Sequence, residues 1–159
     1  MIHIITTGGT IEGLDRDLNK NKATASIQDF LESANVSFQF IIEEAIRKDS
    51  RSITEEDRAK LVKSIQLSDS EKILITHGTF TMEHTAKYIG NRSLNKTIVL
   101  VGSFILGTEK NTDAPFNLGY AISALQFLKS DVYIAMNGQV FHWSNVTKNL
   151  ETNKFEPNE

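Results

Sequence analysis

Two short turns rich in threonine and glycine contain the residues of this chain best suited to chemistry. The first follows the apolar run at residues 2–5 and consists of Thr7, Gly8, Gly9 and Thr10. Adjacent glycines free the backbone torsion angles and remove side chains, so a ligand can approach the main chain closely. Thr10 then presents a hydroxyl at the end of a strand, where α/β sheets bind their ligands.

Three interpretations of this turn can be compared. An ordinary Gly-Gly turn at a strand end is the simplest. A phosphate-binding loop is excluded, because neither G-x-G-x-x-G nor G-x-x-x-x-G-K-[ST] can be placed here. A hydroxyl nucleophile beside backbone N–H donors is the third, and it depends on what the rest of the chain supplies.

A second turn has the same order of residue types, an apolar run followed by threonine and glycine. The apolar run at residues 73–75 leads into Thr76, His77, Gly78 and Thr79, and a helical pattern follows. A threonine hydroxyl is a poor nucleophile until a base activates it, and lysine serves when its surroundings keep it neutral. Thr10, Thr79 and a lysine therefore suffice in kind for amide hydrolysis, with backbone N–H groups stabilising the oxyanion. Spacing alone does not select the lysine.

Composition narrows the class of protein. The chain has 159 residues, 40% of them hydrophobic and 23% charged, as expected for one globular domain. A net charge of −3 gives no reason to expect a nucleic-acid surface. No apolar run approaches a membrane span and no signal peptide is evident, so we expect no membrane association. The absence of cysteine fits a reducing compartment, which predicts a cytoplasmic protein.

The histidines do not indicate a metal site. His77 and His84 are seven residues apart and could share a helix face, but Gly78 and Thr79 lie between them where a strand should end. We therefore predict no metal site.

Apolar periodicity predicts the elements that position these turns. We expect strands at residues 2–5, 36–42, 73–75 and 97–101, and helices from residue 26, over 54–67, over 82–90 and over 115–128. Asn137-Gly138 between two apolar runs predicts a C-terminal β-hairpin of residues 132–136 and 140–143. Residues 43–52 are expected to form a polar loop, and residues 14–22 a loop that could act as a lid.

The predicted fold is a three-layer α/β/α domain with a doubly wound, mostly parallel sheet of the Rossmann or flavodoxin-like type. Strand and helix alternate about four times, which is typical of parallel sheets covered on both faces. Ligands of such sheets bind at the carboxyl ends of the strands. We expect the turns at residues 7–10, 49–52 and 76–81 to meet there.

Residues 7–11 and 76–86 resemble the two signature motifs of the bacterial-type L-asparaginases. Ala114-Pro115-Phe116-Asn117-Leu118 matches a segment that opens a helix in that family. Met136-Asn137-Gly138 followed by Val146-Thr147-Lys148 matches the segment with the family's catalytic lysine. The similarity runs from residue 2 to about residue 155, so we predict an asparaginase N-terminal-like domain over 1–155 and a polar tail at 156–159.

The resemblance implies a role for each matching residue. Thr10 is the implied nucleophile, and Thr79 and Lys148 are the implied second threonine and its lysine partner. Ser50 lies where the family binds the substrate α-carboxylate, assisted by backbone groups near Gly78. Arg51, beside Ser50, is a candidate ligand group, as is His84, although solvated surface roles are the simpler interpretation for both. The family's substrates are small amides, and no cofactor is implied.

The chain departs from the family pattern in three ways. Phe80 stands where the family has an aspartate that binds the substrate ammonium. The family's second domain, which also donates an acidic residue to a neighbouring subunit's site, is not expected here, and residues 13–25 lack the family's lid tyrosine. We therefore expect a substrate without a free α-ammonium, a lower pKa for Lys148 than in the family, and a homo-oligomer. The alternatives are a catalytically degenerate domain that binds a small carboxylate or a partner, and a domain with a vestigial site.

Overall fold

The computed structural model of the protein describes residues 1–14 and 24–158. The strands are β1 (Ile2–Gly8), β2 (Phe40–Lys48), β3 (Lys72–Thr76), β4 (Thr97–Val101), β5 (Asp131–Met136), β6 (Gln139–His142), β7 (Thr147–Asn149) and β8 (Lys154–Glu156). The helices are α1 (Ile27–Ser33), α2 (Glu55–Leu67), α3 (Met82–Gly90) and α4 (Ala114–Phe127). Most of the predicted lid, residues 15–22, lies outside the described residues.

A six-stranded sheet in the order β2-β1-β3-β4-β5-β6 forms the centre of the fold. The first five strands of that order are parallel and β6 is antiparallel to β5. The helices connect the parallel strands, so the predicted three-layer α/β/α class is confirmed. Strands β3 and β4 are apolar and almost wholly buried, as expected for parallel strands covered on both faces.

Strand β2 differs from the prediction. The expected strand at residues 36–42 begins only at Phe40, and the expected polar loop at 43–52 is strand as far as Lys48. The physical reason is that β2 lies at the edge of the sheet, where charged side chains reach solvent while the backbone still pairs with β1. A bulge lies where Thr6 pairs with Glu44 but Gly8 pairs with Lys48.

Two hairpins complete the C-terminal part. The predicted hairpin is confirmed: β5 and β6 pair across Asn137 and Gly138, whose φ angles of 51° and 81° are those of a tight two-residue turn. A second hairpin, β7–β8, was not predicted and includes Glu156, which the sequence placed in the polar tail. Its strands are three residues long and mostly polar, so they carry little apolar alternation.

Helix boundaries follow the capping chemistry in the sequence. Thr54 accepts a hydrogen bond from the Asp57 N–H, and the Asp57 carboxylate accepts one from the Thr54 N–H, which forms the predicted capping box of α2. Ser26 caps α1 in a similar way, by accepting from the Asp29 N–H. Within the described residues, the helices are all too short or too polar to cross a membrane.

Candidate active site

The three polar turns meet at the carboxyl ends of the parallel strands. A Cβ atom added to Gly9 would lie 2.5 Å from the Gly78 nitrogen, and one added to Gly78 would lie 2.8 Å from Ser50 Oγ. Gly9 has φ 79° and ψ −175°, a conformation essentially restricted to glycine. The glycines therefore allow three backbones to pack together, with Thr10, Ser50 and Thr79 at their junction.

A buried carboxylate supports the first turn. Glu12 Oε2 accepts hydrogen bonds from the Gly8 N–H at 2.7 Å and, at 3.5 Å, from the Thr76 hydroxyl of β3. Burial raises the pKa of Glu12, although the Gly8 N–H and the charge of Arg47 act in the opposite direction. Thr7 ties the same two strands by donating to the Thr76 carbonyl at 2.7 Å.

The second turn is held by a buried histidine. His77 Nδ1 lies 2.7 Å from the Gly78 carbonyl and donates to it, so the neutral ring has its lone pair on Nε2. Nε2 accepts from the Thr85 hydroxyl at 2.9 Å, and Thr85 accepts from Arg58 Nε at 3.1 Å. Burial lowers the pKa of His77 to about 4, so the ring is neutral at pH 7. His77 therefore fixes the backbone beside Thr79.

Thr79 and Lys148 form a hydrogen-bonded pair in the site. Lys148 Nζ donates to Thr79 Oγ1 at 3.0 Å, and Thr79 is buried. Burial lowers the pKa of Lys148; the carboxylate of Glu83 opposes this shift and the charge of Arg51 adds to it. A lysine with a lowered pKa beside a threonine hydroxyl is an arrangement that can supply a base.

Lys148 reaches this position from the small β7–β8 hairpin, which lies outside the main sheet. Its backbone N–H donates to Glu83 Oε2 of α3 at 2.8 Å, which ties β7 to α3. Phe155, opposite Lys148 in β8, is buried and packs against Phe104. The lysine is therefore positioned by contacts between segments that are distant in the sequence.

Aromatic rings surround the Lys148 ammonium. Lys148 Nζ lies 4.3 Å from the centre of the Phe80 ring and 5.3 Å from that of Phe104. The Arg51 guanidinium carbon lies 4.4 Å from the same Phe80 ring, which is 51% exposed. Phe80 is therefore contacted by two cations and opens to solvent.

Arg51 and Ser50 belong to the 3₁₀ turn Ser50–Ser52 that follows β2. The carboxylate of Asp49 pairs with the Arg51 guanidinium in a two-pronged ion pair, with Nε to Oδ1 at 2.8 Å. Ser50 is buried, and its carbonyl accepts from the Thr81 hydroxyl at 2.8 Å. The simpler interpretation of Arg51 as a solvated surface residue does not fit, because its side chain is only 21% exposed.

The fold brings the predicted site residues Thr10, Ser50, Arg51, Gly78, Thr79, Phe80 and Lys148 to one end of the sheet. Thr10 is partly exposed and follows Gly9 directly, while its carbonyl accepts from the Gly107 N–H at 2.9 Å. The side chain of His84 is 67% exposed, and its Nε2 lies 3.8 Å from Glu83 Oε1. Sequence reasoning missed Glu12, Phe104 and Glu83. Only Glu12 could have been noticed locally, as the single charged residue between Gly9 and Gly13.

Free backbone donors complete the chemistry of the site. Within the described residues, the N–H groups of Gly78 and Thr79 have no hydrogen-bond acceptor. Such groups can bind a carboxylate or an oxyanion. In the same described part of the chain, no group of three His, Cys, Asp or Glu side chains could hold a metal ion. The arrangement supplies a hydroxyl, a base and anion-binding donors.

Comparisons with known proteins give a family match and several relatives. The family described as "Asparaginase, N-terminal" matches residues 1–157. The "Probable L-asparaginase periplasmic" of Haemophilus influenzae is 34% identical over 167 residues, which cover 95% of this chain and 47% of that protein. The solved thermostable L-asparaginase from Thermococcus kodakarensis superposes with a TM-score of 0.84 at 27% identity, covering 98% of this chain and 50% of its own.

A second solved structure, a "Probable Cytoplasmic L-asparaginase" from Campylobacter jejuni, superposes with a TM-score of 0.80 at 25% identity. It is covered over 51% of its length, and this chain over 98%. The chain thus spans about half the length of the relatives it matches.

Proposed function

Because the chain belongs to the asparaginase family, we propose that it hydrolyses a carboxamide of a small carboxylate with Thr10 as the nucleophile. The observation that carries the proposal is the contact between Lys148 Nζ and Thr79 Oγ1 at 3.0 Å, at a lysine whose pKa is lowered. That pair supplies the base which a threonine nucleophile needs.

The proposed step begins when Thr10 Oγ attacks the amide carbon. Its proton passes to neutral Lys148, through the Thr79 hydroxyl that Lys148 contacts. The C–N bond then breaks, the departing nitrogen takes the proton from Lys148, and ammonia leaves. Water attacks the acyl-threonine with Lys148 again as base, which releases the carboxylic acid and restores the Thr10 hydroxyl.

Anion-binding groups would hold the substrate for this step. The Ser50 hydroxyl and the N–H groups of Gly78 and Thr79 lie together at the turn junction. We assign the Ser50 hydroxyl and the Gly78 N–H to binding of the substrate carboxylate. The Thr79 N–H then stabilises the oxyanion. Arg51 adds positive charge on the same side, partly balanced by Asp49.

The charges around Phe80 argue against a substrate with a free α-ammonium. Phe80 offers that ammonium no carboxylate, while Arg51 places a positive guanidinium 4.4 Å from the centre of its ring. A charge-assisted hydrogen bond contributes roughly 1.5–3 kcal/mol, and an ammonium buried without one loses still more. We therefore propose that the substrate is a monoamide that has no amino group, or has an acylated one.

The experiment is ammonia release from asparagine, glutamine, N-acetylasparagine and succinamic acid, with the Thr10→Ala variant as control. We expect release from succinamic acid or N-acetylasparagine to exceed release from asparagine, and to disappear in Thr10→Ala. Release from all four compounds that persists in Thr10→Ala would contradict the threonine mechanism. Binding of succinate without any hydrolysis by the folded protein would favour the alternative of a degenerate carboxylate-binding domain.

We also propose a homo-oligomer in the cytoplasm, with helix α4 as the contact between copies. Residues 114–127 contain no charge, yet Phe116 is 63% exposed and Phe127 is 85% exposed. Together with Tyr120 and Ser123 they form one outward row, here termed the α4 stripe. Antiparallel packing of two stripes places Phe116 against Phe127 and Tyr120 against the small Ser123. It also brings Lys129, just past the helix, near Asp113 of the other copy, so the charges at the helix ends are complementary.

A further inference from the structure

A second group of polar side chains with a nucleophile lies on the β5–β6 hairpin, outside the site described above. Asp131 begins β5, His142 ends β6, and Trp143 and Ser144 follow in the turn after β6. Ser144 Oγ lies 2.7 Å from His142 Nδ1, and His142 Nε2 lies 3.0 Å from Asp131 Oδ2. Serine, histidine and aspartate therefore form one continuous chain of hydrogen bonds.

The partners fix the direction of each hydrogen bond. Burial raises the pKa of Asp131, but hydrogen bonds from His142, the Val132 N–H and Trp143 outweigh it and hold the pKa below its usual value. An ionised carboxylate only accepts, so His142 Nε2 carries the proton in the neutral ring. Nδ1 then bears the lone pair, which agrees with its second donor, the Ser144 N–H at 3.3 Å. The Ser144 hydroxyl therefore donates to a base whose tautomer is set by a carboxylate.

Aromatic packing holds the histidine in this orientation. The Tyr133 ring meets His142 edge to face at 5.8 Å between ring centres, and Trp143 lies against it at 5.5 Å. The Trp143 indole N–H also donates to Asp131 Oδ1 at 3.0 Å, which orients the carboxylate. An imidazole held by two rings and an oriented carboxylate is preorganised as a base.

The nucleophile opens onto a cavity. Ser144 is exposed and lines a cavity of about 320 Å³ together with Trp143, Val146, Lys87, His84 and Glu83. Trp143 and Val146 provide apolar walls for a small acyl group. The Lys87 ammonium on the same wall offers positive charge to an anionic tetrahedral intermediate.

We propose that Ser144, His142 and Asp131 form a second, serine-based site that cleaves esters of small uncharged acyl groups. The roles are those of a Ser-His-Asp triad, which is recognised by geometry rather than by sequence position. The two ring nitrogens exchange places relative to the serine proteases, since here Nδ1 faces the serine and Nε2 the aspartate. Ser144 and His142 are the catalytic residues, and Asp131 is a positioning residue.

In the proposed reaction Ser144 Oγ attacks the ester carbonyl carbon while its proton moves to His142 Nδ1. The bond between the carbonyl carbon and the alcohol oxygen then breaks, and the departing alkoxide takes the proton from Nδ1. Water, deprotonated by the same nitrogen, attacks the acyl-serine. The acid leaves and Oγ regains its proton, so no further reactant is needed.

The test uses the full chain with p-nitrophenyl acetate as the probe. Release of p-nitrophenolate is followed, and the acetyl group is located by mass spectrometry with fragmentation of the peptide that contains Ser144. We expect acetyl on Ser144 that alkaline hydroxylamine removes, as it does from serine esters but not from lysine amides. The rate should fall at least about 100-fold in Ser144→Ala and in His142→Phe, the lower range of what a general base contributes.

Matched variants separate this site from other reactivity. Ser37→Ala removes another exposed serine, outside both sites and the α4 stripe, and should leave the rate unchanged. The fragmentation spectrum also shows whether Thr10 is acetylated, so reaction at the site of the amide hydrolysis proposed above is distinguished from reaction at Ser144. Nitrogen NMR of the His142 ring should show the Nε2–H tautomer, and a changed tautomer ratio in Asp131→Asn. Acetyl spread equally over Ser37 and Ser144, or an unchanged rate in His142→Phe, overturns the proposal.

Discussion

The side chain at position 80 sets the charge that surrounds Lys148. A phenylalanine there desolvates the ammonium and offers only the weak attraction of its ring at 4.3 Å. Burial and the nearby Arg51 both lower the pKa of Lys148, and only the carboxylate of Glu83 opposes them. The expectation from the sequence, a pKa lower than in the family, is a different comparison and stays a prediction. Phe80 therefore affects both which substrate fits and whether Lys148 can act as a base.

Phe80→Asp tests the first of these effects. An aspartate would provide a carboxylate for a substrate ammonium, so we expect asparagine to bind roughly tenfold to a hundredfold more tightly, the equivalent of a charge-assisted hydrogen bond. Isothermal titration calorimetry measures the change, and Phe80→Asn is the uncharged control of the same shape. Equal affinities in the aspartate and asparagine variants would show that charge at position 80 does not govern selection.

The pH dependence of ammonia release tests the second effect. Lys148 is a base only when it is neutral, so the rate should rise with pH until the lowered pKa of Lys148 is passed, and then level off. In Phe80→Asp the new carboxylate stabilises the ammonium and raises that pKa, so the rising limb should move to higher pH. Superimposable pH profiles of kcat/KM for the two proteins would be inconsistent with Lys148 as the base.

At the scale of the elements, the glycine contacts at the turn junction determine whether the site can form. Gly9→Ala places a Cβ 2.5 Å from the Gly78 nitrogen in a backbone conformation that only glycine adopts readily. We expect the free energy of unfolding, measured with urea, to fall by about 1–3 kcal/mol.

Gly119→Ala is the matched control for that substitution. It lies in α4 with open space where the Cβ would be, so the higher helix propensity of alanine should stabilise the protein by about 1 kcal/mol. If both substitutions changed stability equally, the close contact of Gly9 with Gly78 would not be a structural requirement.

The sequence predicted the elements whose signals are local. The capping box at Thr54 and Asp57, the Asn137-Gly138 turn and the apolar strand β3 all depend on neighbouring residues, and the structure confirms them. The sequence did not predict the charged half of β2 or the β7–β8 hairpin. A strand at the edge of a sheet and a short polar strand both show little apolar alternation.

The same limit applies within the candidate site. The strand–turn–helix repeats indicated the turns of Thr10 and Thr79, and Lys148 came from family resemblance. The supporting contacts were not predicted, because they join distant segments: Glu83 to the Lys148 backbone, and Phe104 to the Lys148 side chain.

At the scale of the whole molecule, the α4 stripe is an apolar surface that would stay exposed to solvent in a monomer. A helix with apolar residues on both faces is normally buried, yet Phe116 and Phe127 face solvent. We expect the protein to sediment as a dimer at micromolar concentration and Phe127→Glu to sediment as a monomer with an unchanged circular dichroism spectrum. Gln126→Glu, an adjacent charge outside the stripe, is the control. A wild-type monomer across this range would argue against α4 as the contact.

The central claim is that Lys148 acts as the base for amide hydrolysis in a site that selects against a substrate ammonium. The most direct measurement is the rate of ammonia release from succinamic acid by wild type and by Lys148→Met, which keeps an apolar stem beside Phe80 and Phe104 but has no amine. We predict measurable release by wild type and at least about a 100-fold lower rate in the variant. Equal rates in the two proteins, or no release by the folded wild type, would contradict the claim.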